Sequence, residues 1–408
     1  MNKGKYQLAL NIVEDKIKEL RTRVPSKKFN KNKLAEVEIN KFYFSGKTVD
    51  RIMIVLRANG CEHYKKNGGC AMCSHFNGTM PNDKILDDNY INQWNSVLTG
   101  SCLEKPIKNF SLNNFPVVCI YNLGSLLNLN EISLNAIEYI FTSLNIFTNI
   151  QKVIIESRAE YVDENILKAI KSYYNGLIEV GIGVESTNKS IRQLCHHKGL
   201  ESLSTIKKAI KNLHNHGYKA LAYVNFKPCF LTEKEAIDDA IKTSVDCFNF
   251  GFDSVSIEPT SLQEYSLTNH LYNLGYYRVP WLWSLQEIVK GIYNKIDNKE
   301  KFLDIRIGGY FDEEVLSGSQ GEGFTSKNEI FPHETSSNCP KCTKAFIDCI
   351  KKFNMTYDLN DLLDIKKCND CYLTWTEVCK IKDSRLLNQR ILDILGNEKN
   401  IDNNIKMK

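Results

Sequence analysis

Six short apolar runs recur along the first two thirds of the chain, at 51–57, 116–121, 152–156, 178–184, 219–226 and 253–257. Helical spacing fills most of the gaps between them, at 131–145, 163–174, 202–216 and 233–245. Parallel strands need a crossover to return to the same edge of a sheet, and a helix is the usual crossover. Six such units are too few to close an eight-stranded barrel. The expected fold is α/β, a partial (β/α)6 barrel of the TIM type that stays open. In such a fold the function sits at the C-terminal ends of the strands.

Those ends are polar. The second run closes on Asn122-Leu123-Gly124-Ser125, the third on Glu156-Ser157-Arg158 and the fourth on Glu185-Ser186. Lys227-Pro228 follows the fifth and Glu258-Pro259-Thr260 the sixth. One such end alone reads as a solvated strand terminus. Five in succession read as a polar site at one mouth.

The first run leads into Gly60-Cys61-Glu62-His63, and Gly68-Gly69-Cys70-Ala71-Met72-Cys73 follows shortly after. Three thiolates from one glycine-punctuated loop can hold three irons of a four-iron, four-sulfur cluster and leave the fourth iron open. Two other readings stand beside this one. Three cysteines and His63 could hold zinc, or the thiols could simply pack as small apolar groups. The chain has 14 cysteines and no signal peptide is expected at its start, so a reducing compartment, the cytoplasm, is expected. No run reaches 18 apolar residues, and no membrane span is expected.

Residues 339–385 hold a second cysteine group, Cys339-x-x-Cys342 and Cys368-x-x-Cys371, with Cys349 and Cys379 to spare. Two such knuckles are a strong metal signal, for zinc or for an auxiliary iron–sulfur cluster. Residues 1–34 carry ten Lys or Arg against three acids, while the whole chain sums to +5. A basic helical arm over 1–48 suits a polyanion such as RNA, or is a solvated amphipathic helix. The remaining divisions are a core at 49–307, a loop or linker at 308–338 rich in Gly, Ser and acids, and a terminal helix and tail at 386–408. The aromatic stretch Tyr276–Trp283 either packs as lid or core, or stacks on bases.

Together these motifs resemble the radical SAM superfamily. The resemblance is greatest to the archaeosine-synthase radical SAM subunits and more distant to the Elongator catalytic subunit, and it covers roughly residues 45–380. It rests on Gly60-Cys61, Gly68-Gly69-Cys70-Ala71-Met72-Cys73, Gly124-Ser125-Leu126-Leu127-Asn128, Glu156-Ser157-Arg158, Gly183-Val184-Glu185, Lys227-Pro228 and Trp281-Leu282-Trp283-Ser284. It implies S-adenosylmethionine on a [4Fe-4S] cluster held by Cys61, Cys70 and Cys73, cleaved reductively to a 5′-deoxyadenosyl radical. Asn122, Gly124 and Ser125 would meet the cofactor's amino group. Glu156, Arg158 and Glu185 would complete its site through the carboxylate or ribose. Lys227 and Glu258 would face the substrate as catalytic residues.

The resemblance further implies carbon–nitrogen bond cleavage on a tRNA 7-deazaguanine base, with a transglycosylase-type partner enzyme and an external electron donor. The chain departs from the pattern at Ala159, usually Pro, and at Glu258, usually Asn. Cofactor binding survives these departures, while the substrate is left open because Glu258 and the 308–338 loop would face it. Two alternatives remain: a radical SAM enzyme acting on a small molecule or peptide, and a non-catalytic zinc protein that binds nucleic acid.

Overall fold

The computed structural model describes residues 3–104, 107–200, 202–297, 305–310, 313–317 and 335–406. Nine strands form one sheet: β1 (Glu36–Phe44), β2 (Lys47–Val55), β3 (Val117–Tyr121), β4 (Lys152–Ser157), β5 (Leu177–Gly183), β6 (Lys219–Phe226), β7 (Ser254–Pro259), β8 (Ile305–Ile307) and β9 (Glu313–Ser317). The order is β8-β7-β6-β5-β4-β3-β2-β1-β9, so the sheet is open at β8 and β9. From β2 to β8 every neighbouring pair is parallel. β1 joins β2 as an antiparallel hairpin partner, and β9 adds antiparallel to β1. The six apolar runs are β2 to β7, so the half-barrel read from the sequence is present. β1, β8 and β9 extend it.

The helices are α1 (Lys3–Arg21), α2 (Glu62–Asn67), α3 (Asp87–Leu98), α4 (Leu134–Ser143), α5 (Glu164–Tyr173), α6 (Leu203–Asn215), α7 (Glu233–Phe250), α8 (Leu267–Asn273), α9 (Leu282–Lys295), α10 (Pro340–Thr356), α11 (Asn360–Leu363), α12 (Cys371–Lys380) and α13 (Leu387–Lys406). Among the described residues none is long and apolar enough to cross a membrane. Of the 308–338 segment, residues 311, 312 and 318–334 lie outside the described residues.

Alternation along the strands sorts the two faces of the sheet. Val153 and Ile155, Ile178 and Val180, Ala222 and Val224, and Val255 and Ile257 point outward into the main core beneath the crossover helices. The residues between them point into the concavity. Near its floor, Phe42, Val117, Cys119 and Ile154 make a small apolar layer. Beside it Glu179 accepts from Ser254 Oγ at 2.9 Å and pairs with Lys152 at 3.3 Å and Arg306 at 3.5 Å. Parallel strands normally bury apolar residues on both faces. A charged inner face marks this concavity as a place for a polar ligand.

The basic N-terminal segment does not hang free. α1 buries Ala9, Val13, Ile17 and Leu20 in a second core with Ile391 and Leu395 of α13. Arg390 of α13 forks onto Glu235 at 2.6 and 2.7 Å, and Glu235 closes the capping box that starts α7. Planar two-point pairing of this kind fixes direction as well as distance.

Candidate active site

Because β2 to β8 run in parallel, their C-terminal ends share one rim. Cys61 caps the N-terminus of α2 just past β2. The loop behind it is tied to distant segments. Ala71 N donates to His196 O at 2.9 Å, Leu267 N to Ala71 O at 2.9 Å, and Ser74 N to Gln263 Oε1 at 2.6 Å. Burial, with Glu131 and Cys70 beside it, pushes the Cys61 thiol up. Burial and then Cys70 push Cys73 up to about 12. Cys61 and Cys73 thus both feel the charge of Cys70, and iron must displace the thiol protons on binding. His63 is turned elsewhere: its Nε2 faces His197 O at 2.7 Å and its Nδ1 meets Asn67 Nδ2 at 3.2 Å. The zinc site of three cysteines and His63 does not form.

The loop after β3 comes up against Cys61. A Cβ on Gly124 would lie 3.3 Å from Cys61 Cα and collide with Glu131 Oε2. Glu131, which the sequence reading missed, organises both loops: it accepts from Glu62 N at 2.8 Å, Ser125 N at 2.5 Å and Asn128 Nδ2 at 3.0 Å. Ser125 Oγ in turn accepts from Arg158 N at 3.2 Å. Asn122 is 1% exposed, and neither its amide oxygen nor its nitrogen has a partner. A buried amide left unpaired costs free energy, and here it offers a donor and an acceptor to a ligand. An amino-acid-bearing cofactor fits this residue, and three cysteines supplied by one loop fit a cluster that keeps one iron open.

Arg158 gives its fork to Glu160 Oε1 at 2.6 Å and to Lys198 O at 2.7 Å. Glu185 pairs with Lys198 at 2.8 Å. Lys198 is the second residue the sequence reading missed. Leu123, Glu185 and Lys227, all just past strand ends, have φ near +60°. That region is costly for residues with a side chain, and such strain collects at functional sites.

Further into the concavity Glu156 and Glu258 face each other's field. Burial raises the Glu156 carboxyl to about 7, opposed by a hydrogen bond from Tyr223 and aided by Glu258. Burial also raises Glu258, with Ser256 Oγ donating to it at 2.6 Å. A carboxyl raised by folding is held more weakly once ionised. Its contribution is therefore present below the ordinary value of 4.5 and is lost as pH rises through about 7. Glu156→Gln should gain on the parent as pH rises from 5 to 8, by up to roughly 3 kcal/mol. Urea unfolding at several pH values reads that gap, and a gap that stays constant contradicts the environment described for Glu156.

Lys227 is 7% exposed and already engaged. Its Nζ pairs with Glu233 Oε2 at 2.7 Å, donates to Arg278 O at 2.9 Å and lies 5.4 Å from the Tyr277 ring centroid. Glu233 carries the connection onward. Its Oε1 accepts from Trp281 N at 3.0 Å and from Ser284 Oγ at 2.6 Å, and Ser284 Oγ accepts from Trp375 Nε1 at 2.9 Å. Of the aromatic stretch, Tyr277, Trp281 and Trp283 are buried and pack, while Tyr276 is exposed. Trp375 sits one turn after Cys371 on α12.

Cys339, Cys342, Cys368 and Cys371 bring their Sγ atoms within 4.8 Å of one another, and Cys339 and Cys368 are 3.9 Å apart. Four bonds of ~2.3 Å to one tetrahedral ion place sulfurs ~3.8 Å apart. A four-iron cluster carries its thiolates on the outer corners of a cube of irons and spreads them wider. The spacing fits a single ion. Backbone N–H groups of Cys371 and Asp370 lower the Cys368 thiol to about 7, and Trp283 Nε1 donates to Cys371 Sγ at 3.2 Å.

No family model matches the chain. The uncharacterized protein MJ0550 of Methanocaldococcus jannaschii is 33% identical over 328 residues, 80% of this chain and 82% of that one. Archaeosine synthase subunit beta of Methanosarcina acetivorans is 27% identical over 368 residues, 90% of this chain and 95% of that one. The subunit of the same name from Thermococcus kodakarensis is 28% identical over 332 residues, 80% and 91% respectively. The chain belongs to the family of the Methanocaldococcus jannaschii protein MJ0550.

Proposed function

We propose that the protein is a radical SAM enzyme, that Cys61, Cys70 and Cys73 hold a [4Fe-4S] cluster on which S-adenosylmethionine binds, and that it modifies a 7-deazaguanine base of tRNA by an archaeosine-type carbon–nitrogen bond cleavage. A transglycosylase-type enzyme is the proposed partner, and an external carrier supplies the electron. When bound, the cofactor pair supplies a carbon radical able to remove a substrate hydrogen. The residues do the rest. Asn122, Gly124 and Ser125 receive the amino-acid end of the cofactor. Arg158, Glu185 and Glu156 bound the rest of its site, with Lys198 holding Glu185 in place. Glu258 and Lys227 lie on the substrate side, and the buried carboxylates Glu156 and Glu258 suit a cationic group there. Cys339, Cys342, Cys368 and Cys371 hold one structural ion, read as zinc.

The observation that carries the cofactor assignment is the unpaired, buried amide of Asn122 beside the three-thiol loop. The names of the two archaeosine synthase subunits support the substrate. Anaerobic incubation with reductant, S-adenosylmethionine and tRNA bearing 7-deazaguanine adducts tests both. Deoxyadenosine with an altered nucleoside is expected. Deoxyadenosine with every nucleoside unchanged, and turnover with a peptide or small molecule instead, overturns the tRNA assignment.

A further inference from the structure

Arg21, the last residue of α1, ends directly on the three-cysteine loop. Its Nε donates to Gly68 O at 2.9 Å, and its Nη2 to Cys70 O and Cys73 O, both at 3.0 Å. Nη1 donates to Tyr265 O, just before α8. Beneath the guanidinium lies the Phe76 ring, 4.4 Å to its centroid, which stacks on Tyr64 at 4.4 Å with 7° between the planes. α1 also touches the loop at Gly68, where a Cβ would come within 2.9 Å of Ile17. Glu14 of α1 approaches His197 Nε2 at 3.7 Å, and His197 Nδ1 meets Gly69 O at 2.9 Å.

Four carbonyl groups on one guanidinium hold a loop in one shape, and none of the four carries a net charge. Two other cations border the loop, but each has a carboxylate of its own: Arg158 has Glu160 at 2.6 Å and Lys198 has Glu185 at 2.8 Å. Among the described residues no carboxylate pairs with Arg21. Its charge is therefore left for the thiolates of Cys70 and Cys73. A bound cluster gains a negative charge on one-electron reduction. A nearby uncompensated cation stabilises the reduced form, and net charge and hydrogen bonding are what set such potentials.

We propose that Arg21 is the counter-ion and clamp of the cluster loop: it shapes the loop for cluster uptake and holds the potential of the bound cluster up. The proposal rests on the assignment of the cluster to Cys61, Cys70 and Cys73. It makes α1 part of the redox site. Arg21 is a positioning residue, since it acts through the loop and through charge.

The test uses the full chain and its Arg21→Gln and Arg21→Lys variants, reconstituted anaerobically with iron and sulfide and titrated potentiometrically while EPR reads the reduced cluster. Arg21→Gln should lower the reduced-to-oxidised ratio at a fixed potential about tenfold, equivalent to ~59 mV for one electron. Arg21→Lys keeps the charge and loses the fork, so it should titrate near the parent while taking up severalfold less cluster. An Arg21→Gln variant that titrates with the parent overturns the proposal. If Arg21→Gln takes up no cluster, the Lys variant decides: a parent-like potential supports the proposal, and a tenfold shift overturns it. A cluster that survives in Cys70→Ala overturns the loop assignment instead, which keeps the two failures apart.

Discussion

Cys70→Ala will lose the cluster and deoxyadenosine formation together. Two thiolates remain on the loop, and neither can move to replace the third. Cys61 is fixed at the start of α2 against Gly124, and the backbone on both sides of Cys73 is held by Arg21 and by the Ser74–Gln263 bond. Loss of a supporting partner around a metal ligand commonly weakens binding 10–100-fold, so loss of a ligand itself should exceed ~100-fold. Anaerobic absorbance and iron analysis measure uptake, and chromatography measures deoxyadenosine. The fold should persist, because the apolar core lies on the other face of the sheet. Deoxyadenosine still made at the parent rate would mean that other residues hold the cluster.

The second large effect is expected at the opposite end of the chain. Cys371→Ser should release the ion from the four-thiolate site and loosen α10 to α12, while the cluster on the first loop remains. Binding of a structural zinc is worth ~10–16 kcal/mol in small domains and is largely folding free energy there, so its loss should expose residues 339–380 to limited proteolysis. The damage should travel inward. α12 carries both Cys371 and Trp375, and Trp375 starts the path through Ser284 and Glu233 to Lys227. Substrate turnover should fall while deoxyadenosine formed without substrate stays near the parent level. Trp375→Phe removes one hydrogen bond, worth ~1 kcal/mol, and should lie in between. Metal analysis of the parent should give about four irons and one zinc. Eight irons without zinc would replace the single ion by a second cluster.

Local patterns were readable and distant partnerships were not. β2 to β7 announce themselves because each is a run of apolar residues between helical stretches. β1 does not, because Glu36, Glu38 and Asn40 are buried polar residues that interrupt its apolar run. β8 has three residues, too few for any periodicity. The cysteine loop and the polar strand ends are visible for the same local reason. Glu131 stood only as the first residue of the helical stretch 131–145, since its partners Glu62 and Ser125 belong to two different loops. Lys198 gave no signal beyond its neighbours, because Glu185 meets it only in three dimensions. Arg21 was one of ten basic residues counted toward an arm for RNA, yet its acceptors stand far along the chain at Gly68, Cys70, Cys73 and Tyr265. Charge counting registers a sign and is blind to burial.

The packing of α1 against α13 also sets a timetable. A chain leaving a ribosome at ~5–20 residues per second completes β2 to β8 before Ile391 and Leu395 exist. During those seconds α1 already has Leu194, Leu262 and Leu267 to pack on, but it lacks the apolar cover that α13 adds. Once α13 docks, it backs the helix that carries Ile17 and Arg21 onto Gly68 and Cys70. The clamp on the cysteine loop therefore gains its last support only after α13 has been made, and a chain cut before Leu387 should hold that loop less firmly.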